Sequence, residues 1–202
     1  MKKFNSVGDI HFVTFRTFNN KNYFKDDKCC QLFLEELNFY RNKLSLKIYG
    51  YVIMPDHFHA LIYFEDKNLT ISNIVQRLKG ATARRIIDLY TSLGSHEHLL
   101  LADNSRMEQM LHSTRRKRSN MEQKLRKENN NHNRGLKYRI WQPGFYDFNI
   151  YSNKKFQEKL DYIHTNPLKA GLVKDISLYK YCSWRNYELN DQAVFKIDFF
   201  EY

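Results

Sequence analysis

The sequence is poor in the residues that break a chain or cross-link it. Its 202 residues include only three cysteines, three prolines and seven glycines. Cys29 and Cys30 are adjacent and Cys182 is distant, so no CxxC pair of the kind that builds a zinc knuckle is present. An odd count also argues against a disulfide scaffold. We expect the three thiols to be buried or idle in a reducing cytoplasm.

Long apolar runs are lacking as well. No stretch approaches the ~20 apolar residues of a membrane span, and no apolar signal core follows the first residues. The charge is strongly one-sided: 33 lysines and arginines face 22 acidic residues, a net charge of +11, and 15% of residues are aromatic. This balance favours nucleic acid over membrane as the partner. We therefore expect a cytoplasmic, nucleoid-associated protein; the alternative is a basic but merely solvated surface.

Apolar periodicity predicts one α+β domain spanning residues 1–202. Strand-like and helix-like segments follow the order β-α-β-β-α-insertion-β-α, which predicts an antiparallel sheet with helices packed on one face. From about 95 to 137 apolar residues become sparse and Lys, Arg and Asn dominate, as in an insertion. The last long helix should begin near Ser152 and end at Asn166-Pro167, because a residue before proline avoids helical backbone angles.

Two histidines follow a predicted tight turn. Residues 51–62 have two apolar halves separated by Met54-Pro55-Asp56, which predicts two strands joined by a turn. Side chains alternate along a strand, so His57 and His59 should point the same way. Two imidazoles in that relation can reach one metal ion. Packing or hydrogen-bonded histidines remain the alternative.

The predicted last helix carries a tyrosine and an amide on one face. Tyr162 and Asn166 are four residues apart, about one helical turn. An amide oxygen beside two imidazoles would leave positions open for phosphate oxygens on Mg²⁺ or Mn²⁺. A phenol one turn away can form a covalent intermediate with a phosphate. In a chain with 14 tyrosines, this pairing alone is weak evidence.

These two stretches resemble one known family. Residues 52–62, Val-Ile-Met-Pro-Asp-His-Phe-His-Ala-Leu-Ile, resemble the histidine-hydrophobic-histidine (HUH) motif of single-tyrosine transposases of the insertion sequence 200-like family. Residues 162–173, Tyr-Ile-His-Thr-Asn-Pro-Leu-Lys-Ala-Gly-Leu-Val, are similar to the catalytic helix of its branch associated with repetitive extragenic palindromes (REP). Residues 78–84, 141–147 and 183–184 add to the resemblance.

The resemblance implies a ferredoxin-like fold and a DNA strand transferase. It implies a divalent metal, Mg²⁺ or Mn²⁺, bound by His57, His59 and Asn166, with Tyr162 as the nucleophile. Such an enzyme nicks single-stranded or hairpin DNA, here repetitive palindromic elements, through a 5′-phosphotyrosine. We expect a monomer or a homodimer. Alternatives are a domesticated, non-catalytic nucleic-acid-binding protein and a rolling-circle-type nickase.

Several neighbours have competing interpretations. Tyr146 is the rival nucleophile, although on a strand a place in the core or a base-stacking role is expected. His164 is interpreted as a helix-surface residue or as a residue that contacts a metal ligand without binding the metal itself. Asp56 is interpreted as a turn former able to hydrogen-bond an imidazole. The residues expected to bind DNA, which could equally be solvated, are Arg77, Lys79, Arg84, Arg85, Arg115, Arg116, Lys117 and Arg118.

Overall fold

A four-stranded antiparallel sheet forms the centre of the fold. In the computed structural model, which describes residues 8–99 and 139–200, the strands are β1 (Ile10–Arg16), β2 (Lys47–Met54), β3 (His57–Tyr63) and β4 (Tyr146–Ile150). Their order across the sheet is β2-β3-β1-β4. The helices are α1 (Asp27–Lys43), α2 (Ile71–Leu99), α3 (Asn153–Lys169) and the short α4 (Trp184–Glu188).

This order is that of a ferredoxin-like fold, in which each β-α-β half places its last strand beside the first strand of the other. The predicted α+β class and antiparallel sheet are confirmed. The chain divides into two compact units, residues 1–82 with 141–202, and residues 83–140. All of the strands lie in the first unit. The insertion predicted at about 95–137 falls mostly outside the described residues, so its boundaries stay a prediction.

One face of the sheet is an aromatic core. Phe15 of β1 and Phe58 of β3 lie 5.3 Å apart between ring centroids, and Phe33 of α1 lies 4.6 Å from Phe58. Trp141 joins them at 5.0 Å from Phe15. Asp26 caps α1 by accepting a hydrogen bond from the Lys28 backbone N–H. α1 therefore packs on one face of the sheet, as predicted.

The opposite face is covered by α3, so the prediction that the helices pack on one face of the sheet was wrong for this helix. Leu160 and Ile163 pack there with Phe12, Val52 and Leu61 in one buried cluster. Strand alternation explains the division, since Phe12 and Phe15 point to opposite sides of β1. The sheet is thus a middle layer, with α1 on one face and α3 on the other.

α3 also extends beyond its predicted end. Pro167 lies inside the helix, which continues to Lys169. Proline in a helix leaves the carbonyl four residues earlier without its usual donor. That carbonyl belongs to Ile163, and the Cys182 thiol lies 3.9 Å from it as a donor. The prediction that Asn166-Pro167 ends the helix was therefore wrong, and Asn166 is helical.

Within the described residues, no helix is both long and apolar enough to span a membrane.

Candidate active site

The histidine pair lies on the face that α3 covers. A turn at Pro55 and Asp56 joins β2 to β3, as predicted, and the alternation of β3 turns His57 and His59 to the same side. Their ring centroids are 4.8 Å apart and the rings are nearly perpendicular, at 86°. Both are buried, with 8% and 2% of their surface exposed. Two imidazoles at this separation can share one ion.

Each imidazole contacts the protein through the same ring nitrogen. The Nδ1 of His57 lies 2.5 Å from Oδ1 of Asp56, and the Nδ1 of His59 lies 2.6 Å from Oγ1 of Thr14. The Nε2 of His59 is buried and has no hydrogen-bond partner. Metal-binding histidines commonly use one nitrogen for such an orienting contact and the other for the metal. Arg16 extends the arrangement by donating to Oδ2 of Asp56 at 3.1 Å.

Burial keeps both histidines neutral near pH 7. Burial, together with the smaller effects of the neighbouring His57 and Arg16, lowers the pKa of His59 to about 3. Burial also lowers the pKa of His57, although the hydrogen bond to Asp56 partly opposes the shift. A neutral imidazole has the lone pair that a metal requires. The electrostatics of the pair therefore suit metal binding at neutral pH.

Tyr162 of α3 stands directly over this pair. Its ring lies edge-on to His59, at 5.2 Å between centroids and 84° between planes, and edge-on to Phe12 at 5.9 Å. The residue is 41% exposed, so it is open to solvent from the outside. The structure thus brings together the predicted nucleophile and one of the predicted metal ligands, which are about a hundred residues apart in the chain.

Asn166 lies one turn further along α3. It is partly buried, and its amide nitrogen is buried without a hydrogen-bond partner. Since the nitrogen and oxygen of an amide are interchanged by a flip of the side chain, the same position can present an oxygen. Among the described residues, no three His, Cys, Asp or Glu side chains cluster as a metal site. A metal held by His57 and His59 could take Asn166 as a further ligand, and the unpartnered atoms of His59 and Asn166 fit that arrangement.

A glycine lets α3 approach the sheet closely. A Cβ atom built on Gly50 of β2 would lie 2.7 Å from Cδ1 of Leu160 and 3.7 Å from Cδ1 of Ile163. Any larger residue at this position would force the Leu160 side chain to move. Gly50 therefore helps to set the height of Tyr162 above the histidines.

A buried hydrogen-bond chain fixes the same helix from behind. His164 lies 3.0 Å through Nε2 from Oγ of Ser183, which accepts a hydrogen bond from the Tyr51 backbone N–H at 3.0 Å. Burial lowers the pKa of His164 to about 4. His164 is therefore not the helix-surface residue that was one interpretation of the sequence. It points away from solvent and ties α3 to β2.

Tyr146 shares the exposed side of the site. It begins β4 opposite Thr14, whose other neighbour across the sheet is His59. Its ring lies edge-on to Phe12 at 6.2 Å, and 45% of its surface is exposed. The expectation of a core position does not hold for this ring, whereas a stacking role or a role as nucleophile is still open to it.

The predicted DNA-binding residues lie elsewhere. Lys79 of α2 donates from Nζ to the backbone carbonyls of Gln142 and Gly144, at 2.7 and 2.8 Å, and lies over the Phe15 ring. That is the sheet face opposite Tyr162, so a phosphate contact by Lys79 beside the histidines is not supported. Arg77 is on the same stretch of α2 and is exposed. Their DNA-binding roles stay predictions.

The other predicted DNA-binding residues lie in the second compact unit or outside the described residues. Arg84 and Arg85 continue α2 into the second compact unit. Arg115, Arg116, Lys117 and Arg118 lie outside the described residues. The sequence reasoning missed two lysines that flank Tyr162, Lys159 and Lys169. Their spacing on one helix, three residues before and seven after Tyr162, could have revealed them.

The fold and site are those of a sheet-borne histidine pair facing a helix-borne tyrosine, the arrangement implied by the family resemblance. Residues 6–99 match the family model described as "Transposase IS200 like". The resemblance to the insertion sequence 200-like family is thereby confirmed, and this segment includes the strands β1, β2 and β3 with both histidines.

One relative and one solved structure of similar fold bear the name of the REP-associated branch. A REP-associated tyrosine transposase of Escherichia coli (strain K12) is 46% identical over 43 residues, which are 21% of this chain and 26% of the relative. The match thus spans about a quarter of that relative's length. A solved structure of a REP-associated tyrosine transposase bound to a REP hairpin aligns over 100% of this chain and 93% of its own, with 17% identity and a TM-score of 0.62. That likeness establishes a shared fold.

Proposed function

We propose that this protein is a transposase-type DNA strand transferase that nicks single-stranded or hairpin DNA through a covalent 5′-phosphotyrosine on Tyr162. The observation that carries the proposal is the position of Tyr162, partly exposed and 5.2 Å by ring centroid from a buried histidine whose Nε2 has no partner. The family match over residues 6–99 supports it. The names of the relative and of the solved structure support a repetitive palindromic hairpin as the DNA partner.

His57, His59 and Asn166 would hold the divalent metal, Mg²⁺ or Mn²⁺. When bound, such an ion withdraws charge from a phosphoryl oxygen and favours departure of the leaving oxygen. The protein residues orient the ligands: Asp56 holds His57 and Thr14 holds His59, each through Nδ1. Both histidines remain neutral at pH 7 because they are buried, and are ready to act as ligands without losing a proton.

Tyr162 supplies the attacking atom. Its phenolic oxygen forms a bond to the scissile phosphorus and gives up its proton, while the bond from phosphorus to the 3′ oxygen breaks. The 3′ oxygen takes up a proton and leaves as a hydroxyl. The energy of the phosphodiester is kept in the tyrosine–phosphate bond, so a later 3′-hydroxyl can reverse the reaction on a new strand. Hydrolysis by water would lose that energy.

Trapping the covalent adduct tests the proposal. A labelled oligonucleotide carrying a palindromic hairpin that flanks the gene is incubated with the protein and Mg²⁺ or Mn²⁺, then separated under denaturing conditions. Wild type should form a metal-dependent protein–DNA adduct on the 5′ side of the break. Tyr162→Phe keeps the ring packed on His59 and should form none, while Tyr151→Phe, a matched change at a 72% exposed tyrosine, should behave as wild type.

Other outcomes would contradict the assignment. If Tyr146→Phe abolished the adduct and Tyr162→Phe did not, the nucleophile would be Tyr146. Cleavage by both variants would indicate an activated water and a nuclease. Binding of the hairpin without any cleavage by wild type would indicate a non-catalytic binding protein.

A further inference from the structure

One stripe of α3 combines the candidate nucleophile with positive charge. Lys159, Tyr162, Asn166 and Lys169 follow one another at intervals of three, four and three residues, which places them along one side of the helix. The outer side of this region forms a groove of about 320 Å³ that includes Lys159, Tyr162, Thr165 and Lys169 in its lining. A strand that reaches Tyr162 from solvent can lie along this stripe.

Lys159 is held in place by two aromatic rings. Its Nζ lies 5.3 Å from the Phe12 ring centroid and 5.0 Å from that of Phe148. Its side chain is 21% exposed, so the ammonium group reaches solvent while the stem is largely covered. Since Phe12 also contacts His59 and Tyr162, this charge sits at the edge of the candidate active site.

The positive charge of Lys159 is only partly neutralised. Its nearest carboxylate is Glu158, with Nζ 3.7 Å from Oε1. The other oxygen of Glu158 pairs with Lys155 at 2.5 Å, so one carboxylate serves two ammonium groups. Glu158 and Asp161 line the groove too. Asp161 lies about 100° around the helix from Tyr162, on the flank of the stripe. Glu158 is four residues before Tyr162 and therefore lies on the same side of the helix, at the Lys159 end of the stripe.

Lys169 bounds the other side of Tyr162. Its Nζ lies 5.9 Å from the Tyr162 ring centroid, and no carboxylate of the described residues pairs with it. As a basic residue in the last turn of α3, it also suits the negative end of the helix dipole. Two ammonium groups therefore stand on either side of the candidate nucleophile, and the stripe between them carries no acid.

We propose that Lys159 and Lys169 are positioning residues that hold the two DNA phosphates flanking the scissile one, so that the strand lies along α3 with its reacting phosphate over Tyr162. This inference rests on the proposed function and names the path of the substrate at the same site. A phosphate is recognised by lysine as a point charge, so sequence does not matter to this contact. The merely structural alternative is that Lys159 packs on Phe12 and Phe148, and Lys169 caps a helix.

The salt dependence of binding separates these alternatives. Each neutralised phosphate on a single strand contributes about 0.7 to the slope of log K against log salt concentration. Lys159→Met and Lys169→Met keep the packing of the stem and remove the charge. In the full-length protein with a labelled oligothymidylate, each change should make the slope shallower by about 0.7, and the double variant by about 1.4. Lys159→Arg and Lys169→Arg should restore it.

A lysine in the first turn of α3 provides the matched control. Lys154 is exposed and lies about 12 Å along the helix axis and about 80° around it from Tyr162. Lys154→Met changes the net charge by the same amount and should leave the slope as in wild type. Melting temperatures of all variants should stay within a few degrees of wild type, because the substitutions remove no apolar packing.

The outcomes distinguish this inference from the proposed function. If wild type forms the adduct but the two lysine variants match Lys154→Met in slope and in adduct rate, the positioning role is wrong and the proposed function stands. If a lysine variant lowers the melting temperature and leaves the slope unchanged, the residue is structural and the inference is again wrong. If wild type neither binds the oligonucleotide in a salt-dependent way nor forms the adduct, both proposals fail.

Discussion

The two faces of the sheet both bury histidine, and they use it differently. On the α1 face, His11 has no exposed surface, bonds through Nδ1 to Asp147 at 2.9 Å and stacks on Phe64. On the α3 face, His57 and His59 lie under the partly exposed Tyr162. His11 and His59 each have a buried Nε2 without a partner. A buried nitrogen without a hydrogen-bond partner therefore does not by itself identify a candidate site. What distinguishes His59 from His11 is the partly exposed Tyr162 beside it.

Removal of a histidine from the α3 face should have the largest effect on activity. His57→Ala and His59→Ala should each lose essentially all adduct formation, because one imidazole and one amide hold a divalent ion poorly. Chelation of the metal should do the same to wild type. Adduct yield after a fixed time, measured at equal concentrations of folded protein, checks this. Full activity of either variant would show that the histidine pair is not needed for the reaction.

Removal of the histidine on the α1 face should affect stability instead of activity. His11→Ala leaves the buried carboxylate of Asp147 without its hydrogen-bond partner, and leaving such an acceptor unsatisfied costs about 2–3 kcal/mol. Denaturant unfolding should show that loss in the free energy of unfolding. The adduct rate per folded molecule should be unchanged. A fall in that rate would mean that the two faces are not separate in function.

A third kind of histidine should be visible in the pH dependence of stability. Burial lowers the pKa of His164 to about 4 from the 6.5 of an exposed histidine. The unfolded chain therefore binds a proton that the folded chain does not, so this contribution is complete above pH 6.5 and is lost as the pH falls towards 4. Each pH unit in that window is worth about 1.4 kcal/mol per proton.

His164→Gln removes that proton and should flatten the stability curve accordingly. Gln can still reach Ser183 with an amide, which keeps the tie to β2. His57 and His59 titrate in the same direction and remain, so some slope should persist. Unfolding free energies at several pH values between 4 and 7 measure the difference. An unchanged slope would show that His164 is already protonated in the fold.

The smallest effect concerns the spacing between sheet and helix. Gly50→Ala places a methyl group 2.7 Å from the end of the Leu160 side chain and should cost about 1–2 kcal/mol, since a flexible side chain can partly yield. Gly80→Ala, which meets no atom within 4 Å on α2, should instead stabilise by about 0.5–1 kcal/mol. Thermal unfolding of both variants makes the comparison, and equal shifts would contradict it.

Local patterns were sufficient to predict parts of the site. The Pro55-Asp56 turn sets the phase of β3, and strand alternation then places His57 with His59. The four-residue spacing places Tyr162 with Asn166 on one side of α3. These relations span a few residues and depend only on backbone geometry. That is why the amino-acid sequence alone predicts which of these side chains lie together, whereas their roles as metal ligands and nucleophile were expected from the family resemblance.

The rest depends on contacts between distant segments. Thr14 orients His59 across 45 residues, and Ser183 joins β2 to α3 across 132. No local pattern indicates which strand edge or helix will supply such a partner. The helix end predicted at Pro167 failed for the same reason, because the thiol near the freed Ile163 carbonyl comes from Cys182. The placement of α3 on its own face is likewise a tertiary outcome.

The contact of the segment around Ser183 with β2 has a consequence for folding during synthesis on the ribosome. The Ile53 backbone N–H donates to the Tyr181 carbonyl, and the Ser183 backbone N–H donates to the Tyr51 carbonyl. The Ser183 hydroxyl is hydrogen-bonded to the His164 ring. A nascent chain still held in the ribosome at α3 has the histidines and the tyrosine but not this clamp. Under the proposed function, we therefore expect DNA cleavage to become possible only after residue 183 has emerged from the ribosome.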